Sequence, residues 1–399
     1  MDYAAYRDRL IERLDGPDLA FDVGEYEARL AALRSAMARD GFDLLMLSDP
    51  SDLCYLTGYT TFEVSVQCLL LVSASATVLF VPAIEIGPAV YLSRVDAVVG
   101  YAWESPMSVA RQVDEQARAL APGPAQRIGV SLWSGSLRPG LLSALQRAMP
   151  GAQFEDMGLL LDRIRLVKSA AELDYLAESA ALTGRGLDAA ADVIRDGVVD
   201  HEIARAGANA MLGGGSEFMS MQPIVTTGFR SGIIHTNHAG HRVDRGDVVF
   251  MEFGAVRRRY TAPMMRTATV GPPNDAVRRF HAVGRAVLEA VMEHARTGAT
   301  FDEAARAGGA ALAPIVDQAF FSGVYGYPVG IQFPPSWVAG SMFIARGNEA
   351  LFETNMVFHL PICLRKPGEF GVGFSETVRV TPRGAVRITR NDLDLHSVD

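Results

Sequence analysis

From Gly246 to Gly254 the chain reads Gly-Asp-Val-Val-Phe-Met-Glu-Phe-Gly, and from Tyr260 to Thr267 it reads Tyr-Thr-Ala-Pro-Met-Met-Arg-Thr. The apolar run Val248 to Met251 suits a strand buried on both faces, and the second segment repeats that character up to Arg266 and Thr267. Strand, turn and strand form a hairpin, which needs more sheet or a helical layer to be stable in water. Glu252 closes the first strand and is therefore expected to be substantially buried. A carboxylate there is either satisfied by a partner such as Arg266 or a backbone donor, or kept for chemistry.

The rest of the chain supplies the covering layers. It has 399 residues, 49% hydrophobic and 21% charged, which suits a globular protein of two domains with cores that need no staple. A net charge of −9 with no compensating basic block argues against a nucleic-acid partner. Cys54, Cys68 and Cys363 lie far apart, without metal-type pairing or a disulfide framework. The amino-terminal segment is too charged for a secretory signal, and no apolar run is of membrane-spanning length. A reduced, cytoplasmic protein without membrane contact or cofactor is expected.

Tyr26, Leu30, Leu33 and Met37 follow helical spacing before Gly41, and a buried strand is predicted at Leu44 to Leu47. Cys68 to Val72 and Val78 to Val81 read as a hairpin, and Ile128 to Val130 as a strand before a helix over 141–148. This alternation predicts an α/β domain over residues 1–162 and a second domain over 163–399. Ser169-Ala170-Ala171-Glu172 is a capping box opening a helix striped by Leu173, Leu176, Ala177 and Ala180. A second long helix is predicted from Asp275 to about Arg296, with Phe280, Val283, Val287 and Val291 inward.

The hairpin resembles the metal-binding hairpin of the methionine aminopeptidase, aminopeptidase P and creatinase superfamily. The stretch Arg165-Leu166-Val167-Lys168-Ser169-Ala170-Ala171-Glu172 is similar to the entry into its catalytic domain. The resemblance covers nearly the whole chain and is specific in the second domain. It implies an α/β (α+β) protein with a creatinase-like amino-terminal domain and a pita-bread catalytic domain. Its metallopeptidases hold two metal ions with two Asp, one His and two Glu. The matching positions here are Glu252, Pro263, Tyr327, Pro361 and Glu376, of which two are carboxylates, so no metal site is expected.

Three segments at those positions are similar to ectoine hydrolases: Phe250-Met251-Glu252, Gly326-Tyr327-Pro328-Val329-Gly330 continuing to Trp337, and Met356-Val357-Phe358-His359. That resemblance implies a metal-independent hydrolase acting on a non-peptide C–N bond of a small cyclic amidine. The reaction it implies is opening of ectoine or 5-hydroxyectoine to an N-acetyl-diaminobutyrate. Glu252 is then a nucleophile or charge anchor for the amidine carbon. His235, in Ser231-Gly232-Ile233-Ile234-His235, aligns with the histidine that creatinase and ectoine hydrolase use, and imidazole suits proton transfer near neutral pH.

Glu376 is expected to face the same cavity as Glu252, the two carboxylates coupling, or else to pair with Arg266 or Arg379. Tyr327 either hydrogen-bonds substrate or fills space, and His359 either orients a carboxylate or is a satisfied core histidine. Phe333 and Trp337 border an apolar substrate edge or simply pack. The resemblance also implies a homodimer in which the partner's loop, with Phe62 and Glu63, closes the site. That loop departs from both enzymes, and the segment His359 to Gly371 lacks the tryptophans of ectoine hydrolases and contains Arg365 and Lys366 instead. Two alternatives stay open: a creatinase-type amidinohydrolase on another guanidino or lactam-like metabolite, and a non-catalytic pita-bread binding protein.

Overall fold

The structure, a computed structural model, describes residues 2–123 and 126–398; Met1 and Asp399, the outer ends of the two expected domains, lie outside the described residues. The chain separates into two compact units, Met1–Arg165 and Leu166–Asp399. The division expected at 162/163 falls inside a continuous helix, Leu160–Leu166. Among the described residues, no helix is long and apolar enough to cross a membrane.

The first unit contains β1 (Leu44–Leu47), β2 (Leu69–Val72), β3 (Thr77–Pro82), β4 (Ala97–Tyr101), β5 (Arg127–Val130) and β6 (Gln153–Asp156). They form one mixed sheet in the order β4-β3-β2-β1-β5-β6. The helix Val23–Asp40 ends on Gly41, whose φ of 75° is the left-handed geometry that a C-cap glycine adopts without strain. Leu44, Met46, Leu69, Leu71 and Phe80 on the sheet pack with Val109, Val113, Leu141 and Leu145 on the helices Val109–Leu120 and Pro139–Ala148.

The second unit contains β7 (Ile224–Thr227), β8 (Val248–Phe253), β9 (Val256–Arg257), β10 (Tyr260–Thr261), β11 (Met264–Val270), β12 (Val324–Pro328), β13 (Ile344–Ala345), β14 (Val357–Lys366), β15 (Phe370–Thr381), β16 (Gly384–Arg387) and β17 (His396–Val398). One sheet runs β17-β11-β8-β7, a second runs β13-β12-β14-β15-β16, and β9 and β10 form the small ribbon at the hairpin turn. Each large sheet turns one face to helices. Val249, Met251, Phe253, Met264 and Ala268 pack with Leu182, Leu187 and Met211 of the helices Ala170–Ala191 and Asp200–Gly213. Leu360, Ile362, Leu364, Phe374 and Val378 pack with Phe280, Val287 and Phe301 of the helices Asp275–His294 and Phe301–Leu312. The opposite faces meet each other: Phe250 and Met265 of the first sheet cluster with Cys363 of the second. Two facing sheets between helical layers are the pita-bread architecture.

The capping box at Ser169 forms with both of its reciprocal hydrogen bonds. Ala177, expected inward, is exposed, and the buried face carries Ser179 and Thr183 instead. Both hold the hairpin. The Ser179 hydroxyl donates to the Ala255 carbonyl at 2.7 Å and accepts from the Ala262 amide at 2.9 Å. The Thr183 hydroxyl donates to the Ala262 carbonyl and accepts from the Ala255 amide, both at 3.0 Å. A polar pair on a helix thus fixes the two ends of the turn between the strand that carries Glu252 and the strand that follows Pro263.

Candidate active site

Glu252 lies on β8, paired with Met265 of β11 on one side and Ile224 of β7 on the other. Side chains alternate along a strand, so Glu252 shares the inward face with Phe250, while Arg266 shares the helix-covered face with Met251. Arg266 accordingly pairs with Asp188 at 2.7 Å and not with Glu252. Glu252 is 8% exposed, and among the described residues its carboxylate has no hydrogen-bond or ion-pair partner. Burial pushes its pKa up to about 8 against the opposing pull of the Arg365 guanidinium.

Facing it is a chain of hydrogen bonds that crosses four elements. The Met265 amide donates to Ser375 Oγ at 2.7 Å, and Ser375 Oγ lies 2.6 Å from His359 Nε2. His359 Nδ1 lies 2.7 Å from Tyr327 Oη, which also accepts Trp337 Nε1–H at 2.9 Å. His359 is fully buried, and desolvation lowers its pKa to about 3, so the ring is neutral and carries one proton.

Its position follows from counting donors. With the proton on Nε2, Ser375 Oγ would accept twice, and its own hydroxyl hydrogen would be stranded in a fully buried site. With the proton on Nδ1, Ser375 donates to Nε2 and His359 donates to Tyr327. Tyr327 then accepts from both His359 and Trp337, and its own O–H is released toward the half-buried space on its open side. The second arrangement satisfies every enclosed donor. Tyr327 is thereby a fixed hydrogen-bond donor, close enough to Glu252 for that carboxylate to add to the rise of its phenol pKa.

Glu376 departs from its expected placement. It pairs with Leu360 on β14, whereas Ser375 pairs with Pro361 and Thr377 with His359. Alternation therefore puts Glu376 on the face opposite His359 and Ser375, beside the helical core. There it accepts hydrogen bonds from the Thr389 hydroxyl and, at 3.1 Å, from the Asn391 amide, with Arg387 at 3.5 Å. Burial raises its pKa to about 7 in spite of those donors. The cleft-facing residue at this point of β15 is Ser375.

His235 is exposed, in left-handed backbone with φ of 56°, on a loop anchored at both ends. Upstream, Ser231 Oγ accepts the Gly371 amide of β15 at 2.8 Å. Downstream, Asn237 Oδ1 accepts the Val225 amide of β7 at 2.9 Å, one residue from the strand partner of Glu252. The carboxylate of Asp200 accepts the backbone amides of Ala239, Gly240 and His241 at 2.9, 2.9 and 3.1 Å.

Trp337 is buried behind Tyr327, and Phe333 is buried against the Arg259 guanidinium, 4.4 Å from its ring centroid. Trp337 braces Tyr327, whereas Phe333 packs on Arg259. In the first unit Phe62 is 82% exposed, and the Glu63 carboxylate accepts the Ser65 amide at 3.2 Å and the Ser65 hydroxyl. Those bonds hold the Glu63 pKa below the usual range.

The residues at the five ligand positions do not fit a metal pair. Two are prolines without donor atoms, and Tyr327 is committed to His359 and Trp337. Among the described residues, no three His, Cys, Asp or Glu side chains converge on a point that could hold a metal ion.

Residues 174–382 match the model of Metallopeptidase family M24, and residues 29–167 match that of the Creatinase/Prolidase N-terminal domain. The chain belongs to Metallopeptidase family M24. It is 27% identical to an ectoine hydrolase of Halomonas elongata, covering 92% of this chain and 95% of that protein. It is 22% identical to an Xaa-Pro dipeptidase of Pyrococcus horikoshii, over 90% of this chain and 96% of that protein. The solved prolidase of Pyrococcus horikoshii superimposes with a TM-score of 0.79 at 21% identity, covering 92% of this chain and 100% of that one.

Proposed function

We propose that the cleft between the two sheets hydrolyses a C–N bond of a small cyclic amidine without a metal ion, with ectoine or 5-hydroxyectoine the named substrate. The observation that carries this reading is the buried, unpartnered carboxylate of Glu252 facing the donor hydroxyl of Tyr327. A cationic amidinium entering beside Glu252 favours its ionised form, so binding releases the carboxyl proton and leaves an ion pair at the amidine carbon. Water then adds to that carbon, activated by the Glu252 carboxylate, or the carboxylate itself adds and water later cleaves the ester-like adduct. Either route forms one C–O bond and turns the amidine into a tetrahedral centre.

Tyr327 donates to the new oxygen and His235 delivers a proton to the departing ring nitrogen, whose C–N bond breaks. The balance is one water added and one C–N bond opened, giving an amide and an amine on one chain. Glu376 lies behind the sheet and supports the strand without touching the reaction. The reading includes a homodimer whose partner loop, with Phe62 and Glu63, closes the cleft, and a cytoplasmic setting.

The test is incubation of chelator-treated protein with ectoine, followed by mass spectrometry for the acetylated diaminobutyrate. Ring opening that survives chelation supports the reading. No opening of any cyclic amidine, together with Mn²⁺-dependent cleavage of an Xaa-Pro dipeptide, overturns it. The Xaa-Pro dipeptidase relative is the observation behind that second outcome.

A further inference from the structure

Along β14 the residues His359, Pro361, Cys363 and Arg365 share one face. His359 reaches Tyr327 and Cys363 packs against Phe250 and Met265, so this face looks into the cleft. The Arg365 guanidinium therefore looks there too. Among the described residues it has no hydrogen bond and no ion pair, and its Nε is buried without a partner. Its charge and that of Glu252 act on each other and both act on Cys363, yet the two side chains do not close into an ion pair.

A guanidinium cannot discard its charge as a carboxyl can, and that of Arg365, part-buried with its Nε enclosed, has no protein partner among the described residues. The fold nevertheless holds it in place. Arg365 exchanges backbone hydrogen bonds with Phe320 at 2.8 and 3.1 Å and is paired with Gly371. A side chain at Gly371 would collide with the Ser231 carbonyl, 2.0 Å from where its Cβ would stand. That close approach seats the turn leading to His235 beside Arg365.

We propose that Arg365 is the anchor for a carboxylate on the substrate, and that the cleft takes a zwitterion with its cationic end on Glu252 and its anionic end on Arg365. The proposal rests on the cleft being the substrate site described above. A carboxylate accepts two parallel N–H bonds from a guanidinium, and this satisfies the fork that the protein leaves open. Occupation of both ends fixes the direction in which the ligand lies along β14. The free protein keeps the guanidinium and the carboxyl of Glu252 apart, and the ligand engages both.

The experiment compares wild type with Arg365→Gln and Arg365→Lys, using ectoine, creatine and glycyl-proline, each beside its own carboxamide. Thermal midpoints report binding without requiring turnover, and KM and kcat are measured wherever turnover occurs. In wild type at least one acid should raise the midpoint well above its carboxamide. In Arg365→Gln that preference should vanish, with KM for the acid raised about 10- to 100-fold, the range expected for losing a charged hydrogen bond, and kcat changed less. Arg365→Lys should recover part of it.

Equal binding of acid and amide by wild type, an acid preference that survives Arg365→Gln, or no shift with any acid overturns the proposal. Binding of creatine or glycyl-proline in place of ectoine, with the acid preference lost in Arg365→Gln, sinks the cyclic-amidine reading but leaves Arg365 as the carboxylate anchor.

Discussion

Replacing Glu252 by Gln should stabilise the protein, and the gain should grow with pH. The wild-type carboxyl has an ordinary value of 4.5 when the chain is unfolded and about 8 when buried on β8. Between those values the unfolded chain gives up the proton and the folded chain keeps it, so wild type loses stability as pH rises through that window. At ~1.4 kcal/mol per tenfold change in acidity, the penalty is about 1 kcal/mol at pH 5, about 3 kcal/mol at pH 7 and about 5 kcal/mol by pH 9.

Glutamine keeps the shape and has no proton to lose. The difference between variant and wild type should therefore rise from about 1 kcal/mol at pH 5 to a plateau by about pH 9. For a unit of this size, the plateau corresponds to a midpoint shift of about 10 °C or more. Thermal unfolding of both proteins at pH 5, 7 and 9 measures it, and the subtraction removes titrations that the two share. A difference independent of pH, or one that favours wild type at pH 9, would show that Glu252 is ionised in the folded state and would refute the reasoning.

Tyr327→Phe strands the donors of His359 and Trp337, at ~1–3 kcal/mol each; denaturant unfolding should show a loss of about 2–5 kcal/mol, with kcat reduced ~10²-fold on any substrate turned over. The ring resonances of His359 should not move between pH 5 and 8, because its pKa is lowered to about 3; a titration near neutrality in the NMR spectrum would contradict the neutral chain of hydrogen bonds. Gly254→Ala would put a Cβ 2.8 Å from Thr261 Cγ2 and 2.9 Å from Trp337 Cε3, so a cost of ~1–3 kcal/mol is expected, together with altered tryptophan fluorescence as Trp337 is displaced.

The hairpin that opens the catalytic half was legible because its evidence of burial is local: an unbroken apolar run with one carboxylate at its end. Tyr327 and His359 were legible from resemblance, but their joint role was not, since they lie 32 positions apart and meet only through the pairing of β12 with β14. Glu376 shows how a single step along a strand decides function. Ser375 and Glu376 are neighbours, and the pairing register sends one to the cleft and the other to the helical core. The polar alternation of Ser375 and Thr377 within an apolar strand was a usable signal for the cleft face. The same two-residue spacing carries His359 to Arg365, a residue visible in the sequence only as a departure from ectoine hydrolases.

Ser375 never approaches the open side of the cleft, yet it decides what Tyr327 offers there. Its hydroxyl hydrogen occupies His359 Nε2, which forces the ring proton toward the phenol and the phenol's own hydrogen outward. With alanine in its place, His359 Nε2 and the Met265 amide both lose their partner, and the contact that fixes the ring proton on Nδ1 is gone. A proton on Nε2 would turn the phenol hydrogen onto Nδ1 and present the cleft with a lone pair in place of a donor. One buried serine thus sets the sign of the hydrogen bond that a ligand meets, without altering shape or charge.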